Sequence, residues 1–61
     1  MQPSDLKPGK QYHYTVIDQP PRPVTFRHET LNYWMFDVDG ENRFILLHKQ
    51  QVLSNIHERT N

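Results

Sequence analysis

The chain has 61 residues, no cysteine, and seven Lys or Arg against seven Asp or Glu. A chain of this length makes one small domain, residues 1–61, because it hides only about 60% of its unfolded surface. The lack of cysteine excludes disulfide staples and thiolate zinc sites, and the balanced charge argues against non-specific duplex DNA binding, which needs a strong positive field. Self-association is the supplement to stability that remains.

Met1 to Asp5 holds no basic region followed by an apolar run, and no segment approaches the length that crosses a bilayer. The chain therefore reads as soluble and cytoplasmic, with no membrane contact. Lys7-Pro8-Gly9 places Pro and Gly at the two central positions of a type II turn ahead of a first strand. Gln11 to Ile17 alternates as a half-buried strand does, with Tyr12, Tyr14 and Val16 on one face and His13, Thr15 and Ile17 on the other. Gln19-Pro20-Pro21-Arg22-Pro23 reads as a stiff connector, since its prolines donate no ladder hydrogen bonds. A second strand, Val24 to Glu29, sets Val24, Phe26 and His28 against Thr25, Arg27 and Glu29, and Thr30-Leu31-Asn32 turns into the next ribbon.

That ribbon, Tyr33 to Leu47, organises the chain. Two strands rich in aromatic and branched residues meet at Asp39-Gly40, a dipeptide suited to the positive φ angles of a tight hairpin. If Trp34, Phe36 and Val38 face inward with Ile45 and Leu47, then Tyr33, Met35, Phe44 and Leu46 face outward, and the sequence alone leaves open which face is the core. A change of one residue in loop length would regroup the second strand, yet large apolar side chains would stay on both faces. A solvated antiparallel sheet is polar on one side, so both sides of this ribbon are expected to be covered, the outer one by another copy or a ligand. After it, His48-Lys49-Gln50-Gln51 reads as a single helical turn and Val52 to Ile56 as a last short strand. Residues 1–5 and 58–61 are expected to fray.

Five short strands with tight links point to an all-β fold, a small five-stranded antiparallel barrel. On Leu6-Lys7-Pro8-Gly9, the Asp39-Gly40 hairpin, and His48-Lys49-Gln50-Gln51 ahead of Val52 to Ile56, the stretch from Leu6 to Ile56 resembles the SH3-like barrels, including their Sm-like branch. In Sm-like proteins the turn before the last strand faces the centre of a ring and touches RNA, so the resemblance implies that His48 and Lys49 are contact residues. The chain departs from that branch in two places. No room precedes Tyr12 for its amino-terminal helix, and the second strand lacks its bending glycine. A six- or seven-membered ring, a dimer and a tetramer all stay open.

Few residues suggest chemistry. Asp37 to Asn42 spaces oxygen ligands like a calcium loop, but setting Gly40 at the sixth position puts Met35 and Leu46 where carboxylates belong, so it reads as a turn. His13, His28, His48 and His57 lie on separate elements with no close pairing, and neither a metal nor any other cofactor is expected. Ser4 and Ser54 have no nucleophile-elbow context, and Glu29 and Glu58 sit apart. The rings of Tyr12, Tyr14, Phe26, Tyr33, Trp34, Phe36 and Phe44 cannot all be core in one bent sheet. The function expected is a non-catalytic, homo-oligomeric module that acts as adaptor or inhibitor through protein contact. Tyr33, Met35, Phe44 and Leu46 would join subunits, and Trp34 with a rim of Arg22, Arg27, Arg43, His48 and Lys49 would meet a partner protein or an anionic ligand. A second reading is a nucleotide or single-stranded RNA binder with aromatic and basic pockets at subunit interfaces. A third is a minimal enzyme.

Overall fold

A computed structural model describes residues 1–59, and the fraying expected of Thr60 and Asn61 lies outside them. A short 3-10 turn, Pro3–Asp5, leads to β1 (Gln11–Tyr14), β2 (Arg22–Thr30), β3 (Tyr33–Val38), β4 (Phe44–Leu47), the helix α1 (Lys49–Asn55) and β5 (Ile56–Glu58). The strands form one antiparallel sheet in the order β4-β3-β2-β1-β5. The chain is all-β apart from its short helix. β4 and β5 are the two edges, and among the described residues no ladder joins them.

The turn ahead of β1 forms as its residues dictate. Lys10 N–H donates to the Lys7 carbonyl at 3.0 Å, and Gly9 takes a φ of +84° at the position where a type II turn needs it. The turn docks on β2, since Gly9 N–H donates to the Phe26 carbonyl and Phe26 N–H to that of Lys10. β1 ends at Tyr14 rather than Ile17. Val16 to Gln19 closes a turn in which Asp18 has a φ of +65°, so Ile17 is thrown into solvent, 86% exposed. Asp tolerates this left-handed region through local hydrogen bonding. β2 begins earlier than expected and absorbs Arg22 and Pro23. Pro23 lies one residue beyond the last β2–β3 pair, Val24 with Val38, so no ladder bond suffers from its missing N–H.

In the ribbon of β3 and β4 the face of Trp34, Phe36, Val38, Ile45 and Leu47 is the inner one, a choice the sequence left open. Trp34 pairs with Leu47, Met35 with Leu46, Phe36 with Ile45, and Asp37 with Phe44. Phe36, Val38 and Leu47 are buried and Trp34 and Ile45 half-buried, while Tyr33, Phe44 and Leu46 are exposed. The connection is longer than a two-residue hairpin. Val38 N–H donates to the Arg43 carbonyl and Glu41 N–H to that of Val38, and only Gly40 has a positive φ, +79°. Gly40→Ala puts a Cβ into open space but on a strained backbone. It should cost about 1 kcal/mol and lower the melting temperature without changing the spectrum of the folded chain, as a thermal melt followed by circular dichroism would read.

One irregularity reshapes the far end. Phe26 pairs with Phe36, but the next pair is His28 with Met35, which leaves Arg27 as an extra residue in β2. Such a bulge bends the strand and reverses the facing beyond it. His28, expected beside Val24 and Phe26, is thus turned to the outer face, and Glu29 to the inner face opposite Trp34. The bulge supplies a bend that the strand achieves without glycine.

The expected strand Val52 to Ile56 is instead the end of α1 followed by β5. Gln51 accepts the His48 N–H at 3.1 Å through its side chain, fixing the helix start. Val52 and Ile56, four residues apart, both face the core. β5 then takes up His57 and Glu58, which pair with His13 and Tyr12. At the other terminus, which was expected to fray, Met1 packs on the core, and its amino group donates to the carbonyls of Leu53 and Ile56.

Leu6, Tyr12, Val24, Phe26, Phe36, Leu47, Val52 and Ile56 make up the core cluster. Phe26 and Phe36, opposite each other, set their rings 5.3 Å apart at 52°. Tyr12 is wholly buried, and its hydroxyl accepts the Lys7 N–H at 2.9 Å, so the one polar atom brought into the core is satisfied. Among the described residues no helix is long and apolar enough to cross a membrane.

Candidate functional site

The outer face of the sheet is divided. On β3 and β4 it carries Tyr33, Met35, Phe44 and Leu46 as one patch, Met35 and Leu46 directly opposite and the other two on the adjoining diagonals. Tyr33, Phe44 and Leu46 are 46%, 55% and 45% exposed. The core already fills the inner face of the same strands, so no part of the described chain covers this patch. Across β2 and β1 the same face turns polar. Arg27 pairs with Asp37 at 3.2 Å, Asp39 accepts the Thr25 hydroxyl at 2.7 Å and the Gln11 amide at 3.1 Å, and Arg59 donates to Gln11 at 2.8 Å.

The residues expected to form one basic rim fall into three places. Arg22 and Arg43 meet on the two oxygens of Glu41, at 3.4 and 3.2 Å, beside the hairpin tip. Arg27 stands on the outer face against Asp37. Trp34 and Lys49 lie at the opposite end of the sheet, where they line a cleft of about 330 Å³ with Glu29, Gln2, Pro3 and Ser4. His48 adjoins them as the residue before α1. Among the described residues Lys49 and His48 have no carboxylate within ion-pair distance. A second cleft, about 260 Å³, opens between Tyr14, Val16, Val38 and Ile45, with Arg22 and Arg43 at its mouth.

Asp37 and Glu41 were weighed in the sequence only as calcium ligands and Glu29 only as an isolated carboxylate, although Asp37 and Glu41 neutralise the arginines of the rim. Asp37 and Arg27 are brought together only by the register of β2 on β3, and Glu29 reaches the Trp34 cleft only through the bulge. The oxygen-rich run from Asp37 to Asn42 is a turn whose carboxylates already accept from Arg27, Thr25, Gln11, Arg22 and Arg43. His13 and His57 prove to be cross-strand partners, and His57 Nε2 lies 3.1 Å from the Thr15 hydroxyl. Among the described residues no three His, Asp or Glu side chains gather into a set that would hold a metal ion.

Comparison with family models, curated proteins and solved structures gives no significant match.

Proposed function

We propose that this chain is a non-catalytic, homo-oligomeric binding module of SH3-like build, which acts as adaptor or inhibitor through protein contact at the outer face of its β3–β4 ribbon. The observation that carries this reading is the patch of Tyr33, Phe44 and Leu46 around a half-buried Met35, left in solvent although Phe36, Val38 and Leu47 on the inner face of the same two strands are buried. A contiguous exposed apolar patch rimmed by polar groups is the usual mark of a protein contact. Its polar border of Arg27, Asp37, His28 and Thr25 suits a rim that stays hydrated. The order of the strands, with a short helix ahead of a last strand that returns to β1, supports the SH3-like build. Against the nucleotide or RNA reading, Arg22, Arg27 and Arg43 are each engaged with a carboxylate.

Leu46→Lys and Phe44→Lys place a cation where a partner would have to bury it without a counter-charge. Both side chains are half in solvent in the isolated chain, so the fold should tolerate them. Light scattering on the wild type should give a mass above that of one chain, and each variant should lower it and bring the melting temperature down only as far as the wild type's own value at high dilution. A wild type that stays a single chain, and whose binding to any protein is untouched by either lysine, would sink the reading. Nucleotide absorbance in the purified protein that high salt removes would put nucleic acid in the place of protein.

A further inference from the structure

We propose that the homo-oligomer is a closed dimer in which β4 of one copy pairs antiparallel with β4 of another about a twofold axis at Ile45, setting Phe44 opposite Leu46 of the partner subunit. This rests on the reading of the chain as a homo-oligomer and names the edge through which a second copy of this chain joins it.

Val38 N–H donates to the Arg43 carbonyl, so the hydrogen-bonded pairs between β3 and β4 fall at Val38 with Arg43, Phe36 with Ile45 and Trp34 with Leu47. The N–H and C=O groups of Phe44 and Leu46 therefore point away from β3, and among the described residues no backbone group meets them. An edge strand with unpaired backbone groups is a template for another strand, which proteins ordinarily block with charge, proline or a covering segment. β4, Phe-Ile-Leu-Leu, carries none of these.

The opposite edge is blocked. β5 carries His57 and Glu58, Lys10 pairs with Glu58 at 3.5 Å, and the Met1 amino group donates to the Ile56 carbonyl. One open edge and one closed edge give a pair that stops at two, whereas two open edges would give a fibre. The register follows from the same geometry. Phe44 and Leu46 are two residues apart, so setting each opposite the other in the second copy satisfies all four outward N–H groups at once. A one-residue slip would turn the apolar side chains of one copy to the other face. In the proposed register Phe44 and Leu46 of both copies share the outer face with Met35 and Tyr33, and the two patches become one.

Two measurements on the full chain test this. In the wild type, the amides of Phe44 and Leu46 should exchange slowly with deuterium at high concentration and tens-fold faster on dilution, while that of Ile45, bonded to Phe36 within the chain, keeps its protection at both. In an otherwise cysteine-free chain, Ile45→Cys should form a disulfide-linked pair with oxidised glutathione. Ile45 and its counterpart would be directly opposed, with Cα atoms within disulfide reach, whereas Phe44→Cys and Leu46→Cys would leave like residues too far apart. A chain that stays single, or a Phe44 amide that exchanges fast at every concentration, overturns the dimer. If instead Leu46→Lys lowers an elevated mass while Ile45→Cys does not cross-link, the edge pairing fails and the outer-face contact survives. An elevated mass indifferent to both variants sinks the two together.

Discussion

Phe36→Ala is expected to destabilise the chain by about 3–5 kcal/mol. Phe36 is wholly buried at the centre of β3, packed on Phe26 across the ladder and opposite Ile45 on β4, so it ties three strands to the core. Truncating a buried Phe to Ala costs about 3–5 kcal/mol, and domains are stable by only about 0.05–0.15 kcal/mol per residue, roughly 3–9 kcal/mol for a chain of this length. The loss takes roughly a third of that margin at the least and all of it at the most. Circular dichroism should show a sharply lowered melting transition. Tyr33→Ala, three residues from Phe36 but on the outer face, removes a ring of similar size that the core does not need, and should shift the melt only slightly. Equal damage from the two would mean that the faces of β3 are wrongly assigned.

The second large effect separates neighbouring residues of one strand. Ile45→Pro deletes an N–H that the ladder phase directs at Phe36, orphaning its carbonyl at a cost of about 1–3 kcal/mol, and it also discards the packing of a half-buried Ile. Leu46→Pro deletes an N–H that points away from the sheet, where an edge strand accepts proline. The first variant should lose several kcal/mol of stability by denaturant titration, and the second should keep a cooperative transition near the midpoint of the isolated wild-type chain. Matching losses would show that the outward edge of β4 is already bonded within the chain.

These contrasts show which parts of the structure were written in the sequence. The two strands of the ribbon and the grouping of Tyr33, Met35, Phe44 and Leu46 on one side were legible from the period of two. Which side is the core was not, because Tyr33 to Val38 and Phe44 to Leu47 carry large apolar side chains on both faces. Nor was the boundary between α1 and β5 legible. Val52, Ser54 and Ile56 share a face in a strand, but Val52 and Ile56 also stack one helical turn apart, so the same apolar residues satisfy both periods. The bulge at Arg27 left no mark, because it needs neither glycine nor proline, and with it went the true faces of His28 and Glu29. The arginines of the expected rim stood out as charges, but their carboxylate partners depend on register, a property of two strands that neither displays alone.

Trp34 is the only tryptophan in the chain, and it stands half-buried across the ladder from Glu29 with Lys49 lining the same cleft. One chromophore therefore reads two separate events. Its emission should shift to the red as solvent reaches the inner sheet on denaturation, and it should change in intensity, with the spectrum held in place, when a molecule settles against the cleft of the folded chain. The protein carries its own fluorescent reporter for both, with no label attached.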